Sequence, residues 1–150
     1  LALLFIFMPY QIKALCLEDL LNPSFFETLS NLRPVGDLSS AQAEEIFNAC
    51  QAQGIETYVA WEGDNIIGTI RLLFESKFYH PGQPAAHIED VTTHAQHQGR
   101  GVGRALLEHA LAVCRERGCY KVILDCDDKL IPFYQKFGFK EAGAYLRFDF

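Results

Sequence analysis

The sequence predicts an α/β (α+β) domain in which helices flank a central mixed β-sheet. Three observations predict this class. Strand-like apolar runs and amphipathic helical segments follow one another in the order β-α-α-β-β-β-α-β-α-β. A glycine-rich turn joins a strand to a long helix about two thirds along the chain. The length of 150 residues suits one domain, and no repeat or linker divides it, so residues 1–150 are predicted to form a single domain.

A strand and two helices are predicted before residue 55. Tyr10–Cys16 alternates loosely between apolar and polar residues, which indicates a strand. Asn22–Leu32 is predicted to be helical, with a proline where the first turn tolerates it. The second helix begins at Ser39 or Ser40, since either side chain can cap it, and ends before Gly54.

A hairpin and a further strand are predicted in the middle of the chain. Ile55–Trp61 and Ile66–Phe74 are rich in β-formers, and the Glu62–Asn65 segment between them is typical of a hairpin turn. A loop with two prolines follows. His87–Thr93 is then predicted to be a strand.

The last third of the chain is predicted to contain two helices and two strands. The glycine-rich turn leads into a helix that ends at about Arg117, with apolar residues at helical spacing. Tyr120–Cys126 contains a continuous apolar run, typical of a strand buried on both faces. A short helix over Lys129–Phe137 and a final strand over Phe139–Phe148 complete the prediction.

Charge and cysteine content exclude several classes of function. Thirteen Lys and Arg residues against nineteen Asp and Glu residues give a net charge of −6, which disfavours a general binder of nucleic acids or anionic membranes. The five cysteines include no CxxC pair, and we expect buried, reduced thiols in a cytoplasmic protein. His87, His94 and His97 have no obvious carboxylate partner, so no metal site is predicted.

The apolar segment Leu1–Met8 predicts neither a membrane anchor nor a signal peptide. Its eight residues are too few, because a helix needs about 20 apolar residues to cross a bilayer. It has no positive start and no small-residue cleavage site. The position of Met8 suggests that residues 1–7 precede the natural start, and they are left out of the functional argument.

The segment Gln98–Arg104 is predicted to bind a phosphate group. It follows a strand and opens a helix, so unpaired backbone N–H groups and the helix dipole both favour an anion there. Its single glycines at 99, 101 and 103 fit neither the P-loop nor the dinucleotide-binding fingerprint. A plain strand-to-helix turn is the alternative interpretation.

The pattern Q-x-x-G-x-G in this segment resembles the pyrophosphate-binding signature of the GNAT acyl-CoA N-acetyltransferases. Four further strings resemble one group within them, the glucosamine 6-phosphate N-acetyltransferases. These strings are Lys77–His80, His87–Val91, Gly118–Cys126 and Phe133–Phe139. The resemblance is close from about residue 75 to 143 and weak before residue 32.

The resemblance implies a GNAT fold and a direct transfer of the acetyl group of acetyl-CoA to glucosamine 6-phosphate. The products would be N-acetylglucosamine 6-phosphate and CoA, on the route to UDP-N-acetylglucosamine. It also implies a homodimer that needs no metal. The residues it assigns to acetyl-CoA are Val91, Gln98, Gly99, Arg100, Gly101, Val102, Gly103, Arg104, Asp125 and Tyr134. Those assigned to the sugar phosphate are Lys77, Phe78, Tyr79, His80, Glu89, Asp90, Val91, Tyr120 and Lys121. Arg33 departs from the family pattern and is a further candidate for a contact with the phosphate.

The chemistry of acetyl transfer agrees with these assignments. The acceptor amine must be neutral to attack a thioester, so a carboxylate must orient it or accept a proton, and Glu89 and Asp125 are the candidates. The departing thiolate, with a pKa of about 8.5, can be protonated by a phenol of pKa about 10, a role that Tyr134 fits. A backbone N–H near Val91 is expected to stabilise the oxyanion.

Structural alternatives exist for several of these residues. Tyr134 could pack its ring in the core, and Asp125 could cap the next helix. Lys77 and His80 could be solvated. Cys126 could be a covalent nucleophile, although a packed thiol is the better interpretation.

Three departures from the family pattern leave the acceptor and the oligomer open. Arg33 stands where the relatives have small hydroxyl residues, two prolines occur in the loop at 80–86, and Arg147 is out of register with a basic residue of the family's last strand. One alternative function is acetyl transfer to a different small amine. Another is a CoA-binding regulatory module without turnover.

Overall fold

The computed structural model describes residues 9–150, and the segment Leu1–Met8 lies outside the described residues. Strands within the described part form one mixed sheet in the order β1-β2-β3-β4-β5. These strands are β1 (Gln11–Ala14), β2 (Glu56–Glu62), β3 (Asn65–Glu75), β4 (Ala85–Thr93) and β5 (Lys121–Ile123). Neighbours from β1 to β4 are antiparallel, whereas β5 runs parallel to β4. The predicted mixed sheet is therefore confirmed.

Four α-helices of the described chain flank this sheet. They are α1 (Pro23–Ser30), α2 (Ser40–Ala52), α3 (Val102–Glu116) and α4 (Ile131–Gln135). The Asn22 side chain accepts a hydrogen bond from the Ser24 amide, and Ser39 and Gln42 form a reciprocal capping box at α2. The last helix is shorter than predicted, because a 3₁₀ turn over Asp128–Leu130 precedes it.

Each face of the sheet carries its own apolar core. On one face, Val59 and Ile66 contact Phe25 of α1, and Phe47 of α2 packs against the same cluster. On the opposite face, Ile70 of β3 contacts the buried side of α3. The α1 and α2 side and the α3 side of the sheet are thus separate surfaces.

Gly68 brings α3 unusually close to the sheet. A Cβ atom at this position would lie 2.7 Å from Cγ1 of Val102 and 2.9 Å from Cδ1 of Leu106, closer than side chains tolerate. The glycine therefore lets the first turns of α3 rest directly on β3, and this contact fixes the N-terminus of α3 relative to the sheet.

The strands β4 and β5 diverge after a short ladder. They pair from Ala85 with Lys121 to His87 with Ile123, and the ladder stops there. Beyond this ladder, Glu89–Val91 and Leu124–Cys126 have no strand pairing with each other, and we call the interval between these two segments the opening. The splay of β4 that the resemblance implies is placed at the same residues.

Two predictions for the C-terminal part are wrong. Phe139–Phe148 forms no strand in the described chain, since nothing there offers it a partner, and Tyr145, Leu146 and Phe148 are exposed. The strand predicted over Tyr120–Cys126 is limited to β5 because β4 turns away from it. β5 is an edge strand and is not buried on both faces: Ile123 is 37% exposed.

None of the helices within residues 9–150 combines the length and the apolar character needed to cross a membrane.

Candidate active site

A β-bulge marks the point where β4 leaves its regular register. Thr69 pairs with Thr92 and Arg71 pairs with Glu89, so β4 contains one residue more than β3 in this stretch. Neither Asp90 nor Val91 has a register partner in β3. Asp90 and Val91 therefore stand outside the register of β3, just beyond the point where the ladder between β4 and β5 ends.

Asp90 adopts a left-handed backbone conformation with φ +50° at this bulge. Positive φ is uncommon for residues other than glycine, and such strained conformations are often found at functional sites. The strain is held by the surrounding structure, which positions the Asp90 side chain at the edge of the opening.

Carboxylates gather around the opening. The pKa of Glu89 is raised, first by burial and then by the negative charges of Asp125 and Asp90, while His87 and Arg71 lower it. Asp125 follows β5 and is exposed. The alternative that Asp125 caps the next helix is wrong, because Asp127 occupies that position. The structure thus brings the predicted pair Glu89 and Asp125 into electrostatic contact.

Arg71 of β3 is a member of this region that the sequence analysis missed. Its Nη1 lies 3.0 Å from Oδ2 of Asp90, and its Nη2 donates a hydrogen bond of 3.0 Å to Sγ of Cys50 in α2. One signal could have found it, since Arg71 is a charged residue inside the apolar strand Ile66–Phe74.

Tyr134 of α4 is buried, with 7% of its surface exposed. Its ring stacks edge-on against Phe133 and Phe139, with centroid distances of 5.1 Å and 5.8 Å. Burial raises the pKa of the hydroxyl, and Cys126 and Asp125 raise it further. The ring is therefore part of the core, and the hydroxyl stays protonated at neutral pH, as an acid must.

Cys126 is a poor candidate for a covalent nucleophile. Burial raises the pKa of its thiol, and the negative charges of Asp125, Asp127 and Asp128 raise it further. The thiolate is the reactive form, so these surroundings favour the inert thiol.

The glycine-rich loop has the backbone geometry of an anion site. Gly99 and Gly101 have φ +75° and φ +84°, and Gly101 caps α3 without a side-chain hydrogen bond. The first amides of this 15-residue helix therefore lack a side-chain cap. A Cβ on Gly99 would meet nothing within 4 Å, so the loop is open on that side. These features fit the pyrophosphate of a coenzyme A thioester.

The arginines of this loop are turned toward acidic partners. Arg100 forms an ion pair with Glu62 at the end of β2, and its Nη1 lies 2.6 Å from Nδ1 of His97. Arg104 forms an ion pair of 3.0 Å with Glu108 along α3. The backbone, more than these guanidinium groups, is what the loop presents to an anion. Glu62 was missed because its contact with Arg100 spans 38 positions in sequence.

A second group of predicted substrate residues meets at the other end of β4. We call Lys77, Tyr79, His80, Tyr120 and Lys121 the loop cluster. The His80 and Tyr120 rings stack at 3.9 Å between centroids, and the Tyr79 and Tyr120 rings lie 6.2 Å apart. Lys77 Nζ lies 5.7 Å from the Tyr79 ring centroid. Phe78, in contrast, points into solvent.

Glu75 joins the loop cluster to β4 and was also missed. One of its carboxylate oxygens pairs with Lys77 Nζ, and the other lies 3.1 Å from Nε2 of His87. The Lys77 hydrogen bond lowers the pKa of Glu75, and His87 lowers it further. Lys77 is therefore oriented and is not freely solvated.

The predicted substrate residues form two separate groups in one chain. Lys121 pairs with Ala85, which lies four residues and about 13 Å of strand before Glu89, and Glu75 bridges part of this interval through Lys77 and His87. Arg33 belongs to neither group: it is exposed in the loop between α1 and α2, and it forms no ion pair within residues 9–150.

Comparisons with known proteins identify the family. The model of the acetyltransferase (GNAT) family matches residues 17–139. The chain belongs to the GNAT family of acetyltransferases. The predicted family and fold are confirmed, and the GNAT family uses acetyl-CoA as its co-substrate.

Individual relatives of this GNAT chain carry a more specific name. The glucosamine 6-phosphate N-acetyltransferase of Trypanosoma brucei brucei is 35% identical over 84% of this chain and 87% of its own length. The enzyme of the same name from Candida albicans is 34% identical, over 90% of this chain and 92% of its own length. The crystal structure of glucosamine-6-phosphate N-acetyltransferase from Arabidopsis thaliana superposes with a TM-score of 0.88 at 28% identity, covering 94% of this chain and 98% of that one.

No group of three or more His, Cys, Asp or Glu side chains within residues 9–150 is arranged to hold a metal ion.

Proposed function

We propose that the protein transfers the acetyl group of acetyl-CoA to the 2-amino group of glucosamine 6-phosphate. The observation that carries the proposal is the similarity, over most of the chain, to relatives named for this reaction in a trypanosome and a fungus. The acidic opening between β4 and β5 supports it, because a carboxylate cluster attracts and orients a protonated amine before reaction.

The donor is held by the glycine-rich loop and the adjacent strands. Amides from Gly99 to Arg104 receive the pyrophosphate at the N-terminus of α3. Acetyl-CoA supplies an activated thioester. The backbone N–H of Val91, next to the bulge, stabilises the negative charge that develops on the carbonyl oxygen. The register break at Asp90 and Val91 supports this assignment.

Glu89 accepts the proton of the acceptor amine, directly or through water. Its raised pKa makes it a stronger base than an ordinary carboxylate, and its half-buried position places it beside the opening. Asp125 is more exposed and orients the ammonium group. Transfer is direct, and the unreactive surroundings of Cys126 support a reaction without a covalent enzyme intermediate.

Tyr134 protonates the departing thiolate of coenzyme A. Its protonated, buried hydroxyl is available as a donor, and the influence of Asp125 and Cys126 on its pKa supports a position near the proposed reacting groups.

Release of free thiol from acetyl-CoA tests the function. We expect rapid release with glucosamine 6-phosphate, weak release with glucosamine, and none with glucose 6-phosphate. Equal rates with and without the phosphate would identify a different amine acceptor. Tight binding of acetyl-CoA without any release would identify a non-catalytic CoA-binding module and overturn the proposal.

A homodimer would complete the site. Ala85, which pairs with Lys121 of the loop cluster, lies about 13 Å along β4 from Glu89, so the two groups of predicted substrate residues do not line one compact site in a single chain. In a two-fold dimer, the loop cluster of one protomer can face the opening of its partner. The unpaired edge of β5 and the exposed apolar tail, which includes Tyr145, Leu146 and Phe148, support such an interface. Arg147 pairs with Asp149 in the single chain and is a less suitable phosphate ligand.

A single domain working in the cytoplasm fits the rest of the chain. Both cores of residues 9–150 share one sheet, which supports a single domain. All five cysteines lie within the described residues and are free thiols, as a reducing compartment permits.

A further inference from the structure

Arg71 is a half-buried charge in an otherwise apolar strand. Its neighbours on β3, Ile70 and Leu72, are fully buried. A charged group in such surroundings is costly unless it is paired and hydrogen-bonded. The two terminal nitrogens of Arg71 meet this condition with Asp90 and Cys50, so that one guanidinium ties β3 to β4 and to α2, whereas its Nε is buried without a hydrogen-bond partner among the described residues.

The partner that Arg71 holds is the strained residue of the bulge. Asp90 keeps φ +50° although its Cβ disfavours that region. An ion pair of 3.0 Å to a side chain anchored on two elements compensates for this strain. Without the guanidinium, Asp90 has no side-chain hydrogen bond to another described residue.

Arg71 acts on the α2 side of the sheet. Arg71 and Glu89 are directly paired, so their side chains lie on the same face, and the contact with Cys50 identifies that face as the one that α2 covers. The anion-binding N-terminus of α3 lies against the opposite face, because Val102 belongs to the other core. Donor and acceptor therefore approach from different sides.

We propose that Arg71 is a positioning residue for the acceptor amine: it fixes the Asp90 carboxylate and the bulge, and it compensates one of the three negative charges at the opening. The inference rests on the proposed function, since it assigns the amine to this opening. It predicts a larger effect on KM for the acceptor than on KM for acetyl-CoA, while kcat also falls because the Val91 N–H belongs to the same bulge.

Several charged groups surround Glu89 at the opening. The charged and titratable groups that face Glu89 are Asp125 beyond β5, Asp90 and His87 on β4, and Arg71 on β3. Among these groups, Arg71 supplies the arginine charge that offsets the carboxylates. Its removal leaves three carboxylates with less compensation, so the pKa of Glu89 rises further.

Arg71→Met tests the inference by steady-state thiol release in the wild-type background. We expect KM for glucosamine 6-phosphate to rise about tenfold, the loss that one charged hydrogen bond causes. KM for acetyl-CoA should stay within about twofold. The acid limb of kcat/KM should move to higher pH, because Glu89 then protonates more easily. Equal changes in both KM values, or an acid limb of kcat/KM that stays at the pH of the wild type, would overturn the inference.

Two further variants separate positioning from general stability. Arg71→Lys keeps the charge but cannot contact both Asp90 and Cys50, so the acid limb should stay in place while KM for the acceptor rises. Arg117→Met removes an arginine that pairs with Glu56 away from the opening, and it should change neither KM nor the limb. If Arg71→Met does not fold, a wild-type acceptor KM in Arg71→Lys contradicts the inference.

Amide hydrogen exchange gives a readout that needs no acceptor. The amides of Glu89 and Thr92, the residues paired with β3 on either side of the bulge, should exchange faster in Arg71→Met than in Arg117→Met. Absence of thiol release by the wild type would refute the proposed function, and unchanged exchange at these two amides would separately refute the role of Arg71.

Discussion

Tyr134 combines a buried ring with a hydroxyl whose pKa is raised by burial. Replacing it by Phe keeps the packing against Phe133 and Phe139 and removes the proton donor. We expect kcat to fall about 100-fold, within the range that general acid catalysis supplies. KM for acetyl-CoA should change little, as measured by thiol release.

Tyr58→Phe is a matched control for this variant. The Tyr58 hydroxyl donates a hydrogen bond of 2.7 Å to Glu56, far from the opening, and burial and Glu56 raise its pKa to about 12. It should keep the wild-type kcat. A Tyr134→Phe enzyme with the same kcat as Tyr58→Phe would remove Tyr134 from the reaction.

The pKa of Glu89 predicts the acid limb of the pH profile. Glu89 must be ionised to accept a proton, so activity falls as pH drops through its raised pKa. Asp125 is the largest charge contribution to that rise. Asp125→Asn should therefore lower the pKa of Glu89 and shift the acid limb of kcat/KM to lower pH, whatever the remaining rate.

Asp127→Asn serves as the control, because Asp127 is exposed, pairs loosely with Lys129 at 3.6 Å, and does not influence Glu89. Its acid limb should match the wild type. A limb that moves upward in Asp125→Asn, or moves equally in both variants, contradicts Glu89 as the base.

Residues of the candidate site could be predicted where they stand in short strings that resemble the family. The contacts that these residues make with distant parts of the chain could not. Glu89, Asp125 and Tyr134 stand in strings that resemble the family. The sequence analysis missed Arg71, Glu75 and Glu62. Their partners lie far away in the sequence, and the bulge that Arg71 contacts has no recognisable local sequence pattern. Their roles depend on tertiary structure, which one sequence does not reveal.

At the scale of elements, the junction between the glycine-rich loop and α3 is the part of the fold whose proposed role can be tested most directly. Gly99→Ala places a Cβ at φ +75° on the open side of the loop, where the pyrophosphate is expected. We expect KM for acetyl-CoA to rise about tenfold and the free energy of unfolding to fall by about 1 kcal/mol. Thiol release and chemical denaturation measure the two effects.

Gly118→Ala introduces the same strain at the other end of α3. Gly118 has φ +68° and a Cβ there also meets nothing within 4 Å. The loss of stability should be similar, while KM for acetyl-CoA stays at the wild-type value. Similar KM values in the two variants would show that the loop does not hold the donor.

The helices and the first four strands were predictable because their periodicity and caps are local. Ser39 and the proline at position 23 mark helix starts, and the hairpin turn at Glu62–Asn65 sets the register of β2 and β3. The final strand was not predictable in the same way. Whether Phe139–Phe148 forms a strand depends on a pairing partner, which the local pattern does not specify.

At the scale of the whole molecule, the separation of the loop cluster from the opening predicts complementation. Lys77→Ala and Tyr134→Phe each weaken a different half of the proposed shared site. Refolded together, the two variants should recover about a quarter of wild-type activity, since half of the dimers are mixed and each has one intact site. Thiol release measures the recovery.

Each variant refolded alone is the control for this experiment, and sedimentation confirms the dimer in every sample. Activity of the mixture that equals the mean of the separate variants contradicts a shared site. It would mean that each chain binds the sugar phosphate without its partner.

The two faces of the sheet have a consequence for inhibition. In the proposed reaction acetyl-CoA binds beside α3 on one side of the sheet and the amino sugar meets Glu89 on the other, so neither substrate should block the entry of the other. Both can therefore occupy the protein at once, in either order, and initial-rate lines should intersect. An inhibitor in which coenzyme A is covalently linked to an amino sugar would pass through the gap between β4 and β5 and occupy both faces of the sheet at once.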